Sequence, residues 1–172
     1  MTLKIKVLLL LGIFLIPADN TFLVLAVNDG DTLVIDMNGP KTIRLLGVDT
    51  PETHHPTKPV QCYGPQASEY LKRLEGERIS IVSDTTSYNK DQYNRLLRYI
   101  YFKGENINMK IVEQGYGFAS LAYPSKHVDE FKILESKASR ENKGLWGKCT
   151  VELNNGFPAT QALSLLILDE KT

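Results

Sequence analysis

Between residues 21 and 48 three short runs of strand-forming residues are separated by two tight turns, and this pattern constrains the fold more than any other part of the chain. Thr21 to Val27 is an apolar strand candidate. Thr32 to Met37 alternates, with Leu33, Ile35 and Met37 on one face, the period of a half-buried strand. Asn38-Gly39-Pro40 has turn chemistry, and Lys41 to Val48 is a third strand. Runs joined this closely make an antiparallel meander. Two more follow, Ile79 to Ser83, entered through Arg78, and Arg95 to Phe102. Five short strands predict a small closed or partly open barrel.

Three helices punctuate the strands. Pro65 suits a first helical position, and Ala67, Tyr70, Leu71 and Leu74 follow at the spacing of one helix face before Gly76. Ile107 to Gln114 is a short helix that Gly115 can end. In the last helix Ser125 is the candidate cap, Asp129 and Glu130 lie near the positive end, Phe131, Leu134 and Ala138 form the buried stripe, and Gly144 is the stop. The fold class expected is α+β, mainly β.

A chain of 172 residues supports one domain with a real core. Ahead of it, residues 1–19 read as a signal peptide or an N-terminal anchor. Lys4 and Lys6 precede an apolar run from Val7 to Ile16, too short to span a bilayer, which Pro17-Ala18-Asp19-Asn20 breaks. This predicts an exported protein: secreted, periplasmic, or membrane-anchored through an uncleaved signal. In such a compartment an isolated cysteine pair usually forms a disulfide, so Cys62 and Cys149 are expected to be joined. The bond would close a loop of 87 positions, worth about 4 to 5 kcal/mol in the chain-entropy model. The tail, 150–172, carries Asn154-Asn155-Gly156-Phe157-Pro158 and a short apolar run from Leu163 to Leu168, with no functional signal.

The chemistry is concentrated in two runs, Asn28-Asp29-Gly30-Asp31-Thr32 and Arg44-Leu45-Leu46-Gly47-Val48-Asp49-Thr50-Pro51-Glu52-Thr53. Their acids sit at strand ends or in turns, where they can converge on one ion. Carboxylates are hard ligands and no cysteine competes, so the metal suggested is calcium or magnesium, not zinc. An arginine beside such a site suggests a phosphate. The formal net charge of zero argues against a strongly basic binder that grips duplex through many phosphate contacts. A few local arginines and a metal suffice for a nuclease. His54 and His55 follow the acids, but no third ligand supports zinc, and they read as loop residues.

Asp29-Gly30-Asp31-Thr32, the run Arg44 to Thr53, Tyr93-Asn94-Arg95 and Gly144-Leu145-Trp146-Gly147 together resemble the staphylococcal nuclease (thermonuclease) family, over 20–149. The resemblance implies an OB-fold five-stranded barrel with three helices. It also implies cleavage of DNA and RNA dependent on one calcium ion, leaving 3′-phosphate ends. By that resemblance Asp31 and Asp49 are the calcium carboxylates, and Thr50 faces the ion through its backbone carbonyl. Glu52 activates the attacking water, Arg44 and Arg95 hold the scissile phosphate, and Tyr93 and Tyr123 pack near the nucleotide. Substrates would be DNA and RNA, with single-stranded or frayed regions favoured. The enzyme would act as a monomer with no obligate protein partner.

Three positions depart from the family type: Gln92 stands where a basic residue is frequent, Asn94 where glycine is usual, and Ser125 where a second tyrosine can occur. Asn tolerates left-handed backbone angles, so the turn can survive. Arg98, three positions beyond Arg95, points to the opposite strand face and reads as a surface charge. The alternative of a different class is an OB-type nucleic-acid-binding module without catalysis. Such a module has no need of Arg44, Glu52 and Arg95 together with Asp31 and Asp49.

Overall fold

The alternation of Leu33 and Ile35 sets the register of the first strands, because a slip by one residue would turn both to solvent. In the computed structural model, which describes residues 21–54, 59–154 and 156–162, that register is kept. The expected leader, His55 and the run from Leu163 to Leu168 lie outside the described residues. Strands β1 (Thr21–Asp29), β2 (Thr32–Asp36) and β3 (Pro40–Leu45) form the meander, with Leu33 opposite Val27 on one side and Ile43 on the other. A two-residue strand β4 (Val48–Asp49) and helix α1 (Gly64–Lys72) follow, then β5 (Arg78–Val82) and β6 (Leu96–Phe102). β5 pairs antiparallel with both β1 and β6, and β6 pairs parallel with β3. That last pairing closes the five long strands into a barrel. Its interior is filled by Leu33, Ile35, Ile43, Leu45, Ile79, Leu97 and Tyr99, all sealed from solvent.

The rest of the chain is β7 (Glu105–Asn106), α2 (Ile107–Glu113), β8 (Phe118–Ala119), α3 (Val128–Arg140), α4 (Leu145–Lys148), and the strands β9 (Val151–Asn154) and β10 (Phe157–Thr160). Asn106 caps α2 by accepting from the Met109 amide at 3.1 Å. Asn108, fully buried, ties α2 to the barrel. Its Nδ2 donates to the carbonyls of Leu46 and Arg98 at 2.9 and 3.0 Å, and its Oδ1 accepts from the Ile100 amide at 2.9 Å. One buried side chain thus holds three backbone groups, and the Arg98 carbonyl also accepts from the Leu46 amide at 3.0 Å.

Several boundaries differ from the sequence reading. The third strand stops at Leu45, because the chain turns through Gly47 at φ +78° before β4. A side chain at Gly47 would also run into the Phe131 ring. Ser125 does not cap α3, which begins three residues later after His127. Its hydroxyl is instead bonded to the Tyr99 hydroxyl at 2.6 Å and accepts from the His127 amide at 3.1 Å. Gly144 does not stop α3, which ends at Arg140; it leads into the short α4, a fourth helix beyond the three expected.

Cys62 and Cys149 are joined, with Cα atoms 5.9 Å apart. The tail beyond them is an antiparallel hairpin of β9 and β10. It is bound to the barrel side by the Cys62 amide donating to Gln161 O at 2.8 Å and by Thr160 Oγ1 donating to Cys62 O at 2.7 Å. Among the described residues no helix is long and apolar enough to cross a membrane.

Candidate active site

Arg44 lies between Ile43 and Leu45, which fill the barrel, so alternation sends its side chain to the outer face of β3. There the guanidinium meets two acids brought by different segments. Nη1 is 2.8 Å from Asp31 Oδ2 and donates to Val48 O at 2.8 Å; Nη2 donates to Asp49 Oδ1 at 2.8 Å. Asp31 comes from the β1–β2 turn and is held on both oxygens. Oδ1 accepts from Thr32 Oγ1 at 2.9 Å, and Oδ2 accepts from the Thr50 amide and hydroxyl at 3.1 and 3.2 Å. Gly30 makes this approach possible, since a Cβ there would lie 2.8 Å from both Ala67 Cβ and Thr50 Oγ1.

Burial opposes the Arg44 charge, but Asp31 and Asp49 outweigh it and hold the guanidinium more basic than usual. Asp49 experiences the reverse balance. Desolvation pushes its carboxyl up to about 6, against the pull of Arg44, and the neighbouring Asp31 and Glu52 add to the rise.

Glu52 follows β4 after Pro51. Burial raises its carboxyl, the His54 amide opposes this at 3.0 Å, and the Asp29 and Asp31 carboxylates push it further up. Its backbone is held at both polar groups by one residue: Gln61 Oε1 accepts from the Glu52 amide at 2.7 Å, and the Gln61 amide donates to Glu52 O at 2.9 Å. Gln61 was not singled out from the sequence; its place beside Cys62 was the available signal. Asp29 does more than turn the chain. Its Oδ1 accepts from the Gly30 amide, Thr53 Oγ1 and Ser68 Oγ at 2.8, 2.8 and 3.0 Å, pinning the loop that carries Glu52 to α1.

Arg95 stands just before β6, bonded through Nε to the buried Asp91 carboxylate, with Nη1 3.5 Å from Thr32 Oγ1. Asp91 Oδ1 accepts the Tyr93 and Arg95 amides at 2.9 Å each, and Asn94 adopts φ +65°, so the left-handed turn survives without glycine. Tyr93, 69% exposed, has its ring 5.2 Å from the Arg95 guanidinium. Arg98 turns away, donating to Asn89 Oδ1 and Leu97 O at 2.7 Å each.

Asp31, Arg44, Asp49, Thr50, Glu52, Tyr93 and Arg95 thus line one open cleft of about 750 Å³, with His54 at its margin. Tyr123 does not line it. It packs partly buried against the core. Among the described residues no three acidic, histidine or cysteine side chains form a closed metal cage. The donors at hand are all oxygen, and Asp31 and Asp49 converge on a single cationic group, Arg44. That fits a hard cation completed by a carbonyl and water, and does not fit zinc.

Known proteins resemble this chain over most of its length. The family described as "Staphylococcal nuclease homologue" matches residues 42–148. A thermonuclease of Staphylococcus hyicus is 34% identical over 131 residues, covering 74% of this chain and 76% of the relative. A thermonuclease of Staphylococcus intermedius is 39% identical over 123 residues, 70% of each chain. Endonuclease YncB of Bacillus subtilis (strain 168) is 34% identical over 132 residues, 75% of this chain and 63% of the relative. With the barrel closed by β3 and β6 and this match across most of its length, the chain belongs to the staphylococcal nuclease family.

Proposed function

We propose that the protein is an exported nuclease that hydrolyses phosphodiester bonds of DNA and RNA with one bound calcium ion, leaving 3′-phosphate ends. Nuclease chemistry follows from the family and its named relatives. The observation that carries the finer reading is the meeting of Arg44, Asp31, Asp49, Glu52 and Arg95 around one open cleft. Asp31, Asp49 and the Thr50 carbonyl would hold the calcium, which when bound draws charge from a phosphate oxygen. Arg44, fixed by Asp31 and Val48, and Arg95, fixed by Asp91, supply guanidinium donors for the charge that grows on the phosphate in the transition state. Being fixed beforehand, they cost little reorganisation during reaction.

Glu52, with its carboxyl raised by burial and by the neighbouring acids, accepts a proton from the attacking water. The new bond joins water oxygen to phosphorus. The bond to the 5′-oxygen breaks, and that oxygen takes a proton from solvent. Tyr93 offers a ring face to a base, a contact that tolerates any sequence. An open cleft and stacking contacts suit single-stranded or frayed substrate, bound by a monomer. The Cys62–Cys149 bond supports an oxidising, extracytoplasmic location, secreted, periplasmic or anchored.

The test is cleavage of denatured DNA and of RNA with calcium and with excess chelator, with product ends identified by mass spectrometry. Cleavage in calcium alone with 3′-phosphate ends is expected. Full activity in chelator, or 5′-phosphate ends, would overturn the reading. Tight binding without cleavage would favour the non-catalytic module.

A further inference from the structure

The acidic floor of the cleft continues past Glu52. On the far side a second cleft of about 380 Å³ opens, and Asp49, Thr50 and Glu52 line both. Its outer wall is the terminal hairpin, through Asn154, Phe157, Pro158 and Ala159. Among the described residues no lysine or arginine lines it, so these supply none of the groups that would hold a phosphate. It offers instead a phenyl ring 62% exposed to water, with the Asn154 amide as its direct cross-strand partner. An aromatic face beside an amide at the mouth of a cleft is the chemistry of base recognition.

The hairpin is also held in place. The Cys62–Cys149 bond fixes its start, and the Cys62–Gln161 and Thr160–Cys62 hydrogen bonds fix its end. A polynucleotide whose phosphate sits between Arg44 and Glu52 must leave that point in two directions. The structure offers two clefts diverging from the same three residues.

We propose that the hairpin cleft is a nucleoside subsite. It takes the base of the nucleotide on one side of the scissile phosphate by stacking on Phe157, while Tyr93 faces the nucleotide on the other side. This rests on the nuclease reading and extends it to a segment beyond the 42–148 family match.

The experiment uses the full chain and single-stranded oligonucleotides with one cleavable phosphodiester, the other linkages being methylphosphonates. One substrate carries nucleotides on both sides of that bond, and two are truncated on one side or the other. Phe157→Ala should raise KM on the full substrate about fivefold or more, with kcat little changed. Wild type should lose a similar factor on one truncated substrate, and on that one Phe157→Ala and wild type should be equal, since the contact is already gone. Phe157→Trp should restore the full-substrate KM. Leu153→Ala, exposed on the same hairpin but outside the cleft, should match wild type throughout. An unchanged KM for Phe157→Ala, or the same loss on all three substrates, would overturn the subsite while leaving the nuclease reading intact. A wild-type protein that cleaves none of them in calcium would overturn the nuclease reading itself.

Discussion

Two carboxylates in this molecule, Asp84 and Asp49, are treated in opposite ways by their surroundings. Asp84 is 6% exposed, and four donors converge on it. The Thr86 amide and hydroxyl reach Oδ1 at 2.9 and 2.7 Å; the Tyr99 hydroxyl and Lys126 amide reach Oδ2 at 2.7 and 2.8 Å. Burial works to raise its carboxyl, but these bonds win and hold it well below the usual carboxylate range. Asp49, whose side chain is 53% exposed, has one such partner among the described residues, Arg44, and partial desolvation with the nearby acids Asp31 and Glu52 pushes its carboxyl up to about 6. The filled acid is a joint that fastens the segment before α3 to the barrel. The underfilled one is the carboxylate proposed to take a cation. The difference lies in how many donors the fold supplies, not in the residue type.

The largest expected effects come from disturbing the underfilled side. Arg44→Lys and Arg95→Lys keep the charge but lose the planar fork, and each should lower kcat about 10²–10³-fold with much less change in KM. Glu52→Gln should lower kcat and flatten the acid limb of the pH–rate profile. Kinetics on single-stranded DNA, with circular dichroism confirming the fold, decides this; folded Arg44→Lys with wild-type kcat would remove the phosphate clamp.

Next in size is the filled side. Asp84→Asn turns a four-fold acceptor into a group that also donates, and should cost about 2 kcal/mol of stability with kcat unchanged. Denaturant unfolding measures it, and a loss below about 0.5 kcal/mol would mean the four bonds are not a joint.

The comparison sharpens further in pH dependence, where the two acids have opposite signs. Asp84, with its folded carboxyl below the unfolded value, contributes stability that is present above about pH 4 and lost as pH falls. Asp49, with its folded value of about 6 above the unfolded one, favours the fold most below about pH 4, and that contribution is lost as pH rises through 6. Thermal melts in chelator should therefore show Asp49→Asn removing a downward slope between about pH 4 and 6, and Asp84→Asn removing an upward slope below it. Slopes of the same sign would contradict the contrast. The smallest effect belongs to Arg98→Lys, whose side chain faces Asn89 outside the cleft; kcat and KM should stay near wild type.

What could be read from the sequence follows how local each determinant is. Alternation and turn residues placed the five barrel strands to within a residue or two at most ends, and Arg44 could be turned outward because Ile43 and Leu45 flank it. Asp31, Asp49 and Glu52 were legible because short turns keep them together. Asn108 and the Asp84–Tyr99–Ser125 cluster were not, because each is polar with a partner from another segment, and the Gln61 clamp on Glu52 was not, because a loop residue nine positions on carries no pattern of its own. Ser125 shows the cost: its sequence neighbours favour a cap, but the Tyr99 hydroxyl claims it. The hairpin's start was legible through the expected Cys62–Cys149 bond, but its strands and the hydrogen bonds of Thr160 and Gln161 to Cys62 were not.

The parallel pairing of β3 with β6 has a consequence for how the chain acquires its shape. Ile43 meets Leu96, and Leu45 meets Arg98, more than fifty residues apart in sequence. No hairpin can form that contact, so its loop-closure entropy must be met before the pairing yields anything. Folding rate should follow this slow, non-local step, in the millisecond-to-second range of barrel topologies. A chain emerging from the ribosome with only its first three strands carries an open edge on β3 until β6 is made.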